Sequence, residues 1–134
     1  ARQLIWQRVR RLRETGVTVL LTTHYMDEAS QLADRVVVMN EGKILLEGTP
    51  ESLVADEVGR EVVELWNVDE PLRAFLGEHD WPVEEVDGRL YIYDREGGEA
   101  SHAIESRFPS QDRQVRHATL EDVFLRRTGR ALKD

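Results

Sequence analysis

The residue best placed to do chemistry is His24, which ends the run V-T-V-L-L-T-T-H (Val17–His24) and directly precedes Y-M-D-E-A. Val17, Val19, Leu20 and Leu21 make a near-continuous apolar run, the pattern of a parallel strand covered on both faces. In open α/β sheets ligands collect beyond the carboxyl ends of such strands, so this pattern places His24 where a nucleotide phosphate would sit if a nucleotide is bound. An imidazole there can donate a hydrogen bond to a phosphoryl oxygen as charge shifts during transfer. The alternative is a histidine that only hydrogen-bonds at a strand–helix junction, and spacing alone does not separate the two.

Other chemistry-bearing residues are less telling. His79, His102 and His117 lack metal-ligand spacing, and no metal site is expected from them. Asp27-Glu28 and Asp56-Glu57 look like paired carboxylates, but neighbours on a helix do not face one another, so helix-start and loop roles are favoured. Trp66, Trp81, Tyr91 and Tyr93 could make a stacking surface; packing around a small sheet is the commoner use. The basic run Arg8, Arg10, Arg11 and Arg13 reads as a solvated helix face rather than a nucleic-acid or membrane patch.

The elements that would position these residues follow from local pattern. Ile5, Val9 and Leu12 share a face of a helix over residues 1–14, which Gly16 can close. After the strand at 17–23 comes a helix from about Tyr25 to Ala33, with Asp27 and Glu28 favouring its N-terminal dipole. Arg35–Met39 and Lys43–Glu47 are strands around the N-E-G-K turn, and Thr49 with Pro50 starts a short helix to Ala55. From Arg60 the pattern changes. Glu61–Trp66 is a strand, and Asp69-Glu70-Pro71 starts a helix that turns Leu72, Phe75 and Leu76 inward. Val83–Val86 and Arg89–Tyr93 flank Asp87-Gly88, a strong hairpin signal. Leu90 and Ile92 form a dry face, and Arg89, Tyr91 and Tyr93 a mixed one. A helix with Ala100, Ala103 and Ile104, a strand at Gln114–His117 and a Thr119-capped helix that buries Leu120, Val123 and Phe124 complete the chain. The order β-α-β-β-α-β plus one helix is that of a ferredoxin-like split βαβ unit.

Composition sets the outer bounds. The chain has 134 residues, room for one ordinary domain or two small ones. Its 40% hydrophobic and 33% charged residues are those of a globular protein. No apolar run approaches the roughly 20 residues of a membrane span, and without cysteine there is neither a disulfide framework nor a thiolate zinc site. Residues 1–55 are charge-balanced, so the net charge of −8 lies wholly in residues 56–134. That acidic half argues against nucleic-acid binding. The break also divides the chain into 1–55 and 56–134.

T-V-L-L-T-T-H-Y-M-D-E-A, A-D-R-V-V-V-M-x-x-G-K-I-L-x-x-G-T-P and the tail A-T-L-E-D-V-F-L-R-R-T-G (Ala118–Gly129) together resemble the carboxyl-terminal part of ATP-binding subunits of ABC transporters. The tail resembles that of the drug-resistance and ABC-2 export branch. The resemblance implies an α/β fold: part of a P-loop NTPase sheet over residues 1–55, followed by a small α+β ferredoxin-like accessory domain. It implies that His24 is the switch histidine at the γ-phosphate, helping to hold the attacking water, with ATP and Mg2+ as cofactors of the intact subunit. It further implies a second ATP-binding subunit as homodimer partner, a membrane permease, and a place on the inner face of the cell membrane. The cargo would be a drug, antibiotic, lipid or polysaccharide. Helix Leu120–Arg127 is the expected contact element for the dimer.

The departures are equally specific. No G-x-x-x-x-G-K-[ST] loop is present, and Gly42-Lys43 lies in a hairpin turn instead. The glutamine loop, the signature sequence and the acidic strand end of the family are absent too. The expectation is therefore the last part of such a subunit, unable to hydrolyse ATP alone. Its unpartnered strands should pair with another chain or leave the N-terminal part disordered. A dimerisation or small-ligand-binding module without ATPase activity is the competing reading.

Overall fold

In the computed structural model, residues 2–129 are described. They form α1 (Arg2–Glu14), α2 (Met26–Leu32), β1 (Val36–Asn40), β2 (Lys43–Gly48), α3 (Pro50–Glu57), β3 (Glu61–Leu65), α4 (Glu70–Gly77), β4 (Val83–Val86), β5 (Arg89–Asp94), α5 (Glu99–Arg107), β6 (Arg113–His117) and α6 (Leu120–Thr128). Ala1, included in the first expected helix, lies outside the described residues.

Most elements begin and end where local chemistry says. Thr49 accepts a hydrogen bond from the Ser52 N–H and Pro50 opens α3; Asp69 does the same for the Leu72 N–H at α4. Thr119 and Asp122 form a reciprocal capping box on α6, satisfying N–H groups that a helix start otherwise leaves unpaired. Asp87 and Gly88 both take positive φ, at 51° and 81°, as a two-residue type I′ hairpin turn requires.

One expectation fails. Residues 17–23 are not a strand: they carry no ladder, and no strand among the described residues pairs with them. Leu20 is 92% exposed and Val17 47%. A strand exists through its neighbours, whose N–H and C=O groups complete its own, and an apolar run without them has nothing to be buried between. The segment instead borders an open cleft of about 980 Å3 with α1 and β1. Sheet structure in the N-terminal part is the antiparallel β1–β2 hairpin, not a parallel sheet.

The second sheet has the order β4-β5-β3-β6, with every neighbouring pair antiparallel. Val63, Leu65, Leu90 and Ile92 bury one face with Leu72, Phe75 and Leu76 of α4 and Ala100 and Ile104 of α5. Each such aliphatic side chain contributes about 1.5–3 kcal/mol relative to exposure. The opposite face is drier than its alternation suggests. Tyr93 is 1% exposed, because Val62 and Tyr93 share a core with Val36 and Val38 of β1, Leu53 of α3, Val58, and Leu120, Val123 and Phe124 of α6. This second core joins residues from both sides of position 56.

At the joint, Gly59 has φ +112°, and a Cβ there would lie 2.4 Å from the Arg95 Cα. Arg95 in turn donates to the carbonyls of Ala55 and Asp56 at 3.2 and 3.1 Å, closing the C-terminal end of α3.

Candidate functional site

His24 lies at the bend between the unpaired segment and α2, with its side chain exposed. Its ring sits 4.2 Å from that of Tyr25, tilted by 34°. The Thr23 hydroxyl accepts from the Tyr25 N–H at 3.0 Å, which tightens the backbone at the histidine. The imidazole therefore faces solvent at the end of a segment whose far side is gripped.

That grip comes first from α1. Arg2 lies over the rings of Tyr25 and Trp6, at 4.5 and 5.4 Å from their centroids, and donates to both Asp27 oxygens at 3.2 Å. The buried Trp6 indole donates to Glu28 Oε2 at 2.8 Å. This hydrogen bond, with a second from Thr23, holds the Glu28 carboxyl below the usual glutamate range. Arg13 donates to the Leu32 carbonyl at 2.9 Å and pairs with Asp34. Thus Asp27 and Glu28, adjacent in sequence, are spent on two different α1 residues and form no acid pair.

On its other side α2 meets the shared core. Met26, Ala29 and Ala33 pack against it, and α2 lies in direct contact with α6. Helix α6 is held in turn by a polar network that sequence reasoning missed. Asp122, 3% exposed, accepts two hydrogen bonds from Arg116, both at 2.7 Å. It also accepts from the Thr119 N–H at 2.8 Å. Arg116 donates to Glu64 at 2.5 Å, and Arg89 donates to the other Glu64 oxygen at 2.9 Å. Burial alone would raise the Glu64 carboxyl; the Arg116 and Arg89 hydrogen bonds outweigh it, and the group titrates below its ordinary value. Asp122 is the main cause that holds the Arg116 guanidinium more firmly protonated than usual. Arg127 adds a bond to Glu57 of α3 at 2.5 Å. A local signal for this network existed, in charged residues at the strand positions that face Val62 and Tyr93, but their pairing spans 52 residues.

The remaining candidates do not converge. His79 stacks on Trp81 at 4.1 Å with planes 5° apart, and its Nδ1 lies 2.9 Å from the Phe75 carbonyl. Trp66 lies beneath Arg89, Tyr93 is in the core, where burial pushes its phenol up, and Tyr91 packs against that core while Trp81 packs against the other one. Leu120, Val123, Phe124 and Leu125 of α6 are buried within the chain itself, the inward face that the sequence predicts. Among the described residues no group of three His, Asp or Glu side chains could hold a metal ion, and no helix is long and apolar enough to cross a membrane. The arrangement fits one contact to a phosphoryl oxygen, from His24. Among the described residues it supplies no magnesium site.

No family model matches the chain. It is similar along its whole length to proteins named Nod factor export ATP-binding protein I. With that of Ralstonia nicotianae it is 39% identical over 140 residues, which cover all of this chain and 44% of the relative. With that of Sinorhizobium fredii it is 38% identical over 135 residues, all of this chain and 39% of the relative. With that of Neorhizobium galegae it is 40% identical over 135 residues, 99% of this chain and 38% of the relative. The chain thus spans about two fifths of the length of these curated relatives. They uphold the family resemblance read from the histidine segment, the hairpin and the tail.

Proposed function

From the chain's membership of the ATP-binding subunits of ABC transporters, we propose that it is the carboxyl-terminal part of an exporter subunit that binds and hydrolyses ATP. The observation that carries this reading is identity of 36–40% over essentially the whole chain with export ATP-binding proteins. The exposed imidazole of His24 supports it, because a phosphate contact needs a donor free of competing bonds. In the intact subunit, with ATP and Mg2+ held largely by residues outside this chain, His24 presents an imidazole N–H to a γ-phosphoryl oxygen and helps to orient the attacking water. Charge on that oxygen grows as the bond to the leaving diphosphate breaks, and a fixed donor stabilises it. The chain alone, without a P-loop, is proposed to be inactive.

Residues 1–55 are proposed as the end of the nucleotide-binding domain and residues 56–134 as a ferredoxin-like accessory domain. The order β3-α4-β4-β5-α5-β6 with its antiparallel sheet supports the second assignment. The partners are a second ATP-binding subunit and a membrane permease, which would keep the protein at the inner face of the membrane. The cargo is a drug, antibiotic, lipid or polysaccharide, and the relatives' Nod factor export agrees with an export role. End-to-end identity with ATP-binding proteins disfavours an unrelated binding module. The test is nucleotide binding and phosphate release by the intact subunit. ATP bound and hydrolysed supports the reading; an intact, folded subunit that does neither overturns it.

A further inference from the structure

Resting on the assignment of His24 above, we propose that α6 is a positioning element for that histidine, locked by Asp122, Arg116 and Glu64 and acting through Met26 and Ala29 of α2. The geometry forms one continuous path. His24 is two residues from Met26, whose helix packs on the core that contains Leu120, Val123 and Phe124. Asp122 on the same helix is buried, and three hydrogen bonds from Arg116 and the Thr119 N–H fix it to the end of β6. Arg116 carries the connection across to Glu64 on β3, and Arg89 carries it to β5. Asp122 and its arginine thus give a polar link from the four-stranded sheet to α6, beside the apolar contact of Val62 and Tyr93 with the same helix. Movement of α6 is passed on to α2, because close-packed elements transmit movement rather than absorb it. The accessory half thereby controls how well the imidazole meets the phosphate, not whether nucleotide binds.

This role differs from simple support. A merely structural residue, when changed, lowers the fraction folded but leaves each folded molecule's turnover intact. A positioning residue changes turnover at constant affinity, since misplacement of a distant group by about an ångström can cost up to about a hundredfold in rate. The experiment is Asp122→Asn in the intact subunit, which keeps an acceptor for the Thr119 cap but removes the charge that holds Arg116. The expected result is turnover lowered about tenfold or more, ATP affinity unchanged, and no further loss when the change is added to His24→Ala. In parallel, the ring-proton resonance of His24 should shift in Asp122→Asn, while that of the distant His102 stays. Arg73→Gln, which breaks an exposed pair with Glu85 far from α6, should alter none of these. If Asp122→Asn does not fold, Ala29→Val probes the same path from the α2 side and should give the same split. Unchanged turnover and an unmoved His24 resonance would overturn the proposal while leaving the His24 assignment standing. Full turnover by His24→Ala would instead remove that assignment, and the proposal with it.

Discussion

Replacing Gly59 by alanine should weaken the joint between α3 and β3 more than any other glycine substitution in a turn. At φ +112° the backbone lies beyond even the left-handed region that L residues occasionally enter, which costs about 1–3 kcal/mol. The new Cβ would also lie 2.4 Å from the Cα of Arg95. Because that atom is backbone, no rotamer can relieve the contact, and overpacking adds about 1–3 kcal/mol. Together these give a loss of about 2–6 kcal/mol, a large part of an ordinary domain's stability. Gly88 is the matched control: its φ is +81° with nothing within 4 Å, so Gly88→Ala pays only the conformational cost of about 1–2 kcal/mol. In urea unfolding followed by circular dichroism, Gly59→Ala should lower the midpoint by about 1 M or more, and Gly88→Ala by roughly half as much. Equal shifts for the two variants would refute the reasoning, since they would mean that Arg95 does not close over Gly59.

Three further outcomes are expected of the chain. Thr49→Ala removes the hydroxyl that caps α3 and should cost about 1 kcal/mol in urea unfolding. Leu20→Ser should change stability by less than about 0.5 kcal/mol, since Leu20 is exposed; a loss of about 2 kcal/mol or more would restore a buried strand at residues 17–23. Glu64 titrates below its ordinary 4.5 in the folded chain, so at acid pH the unfolded chain binds more protons than the folded one. The stability Glu64 contributes is then complete above about pH 4.5 and is lost as pH falls through the depressed folded value. Glu64→Gln should flatten that acid limb in a pH series of unfolding midpoints, and an unaltered limb would assign it to other carboxylates.

What was legible in the sequence was what local chemistry decides. The Thr49, Asp69 and Thr119 caps, the Asp87-Gly88 turn and the inward faces of α4 and α6 depend on residues three or four apart, and the structure places them as the spacing predicts. The strand at Val17–Thr23 was not decidable in this way, because a strand is a property of its neighbours. Tyr93 looked half exposed because alternation describes one sheet; its cover comes from α6 and the β1–β2 hairpin, far away in sequence. For the same reason the Glu64–Arg116–Asp122 network was invisible, although each residue lies at a readable strand or cap position. His24 was singled out as a candidate by the apolar run before it, and that run pairs with nothing here. Its grip by Trp6 through Glu28 and by Arg2 through Asp27 is a tertiary fact. Helix α6, read from its motif as a dimer contact, also packs against α2 within the chain, a contact that spacing along one helix does not reveal.

The most direct test of the central claim is a comparison of the intact subunit with its His24→Ala variant, with ATP affinity and phosphate release measured on the same preparations. Preserved nucleotide affinity with turnover reduced by about a hundredfold or more is the predicted result, because the lost donor acts on charge that develops in the transition state. Turnover equal to wild type in a folded variant would contradict it, and His24 would then be only a residue at a bend.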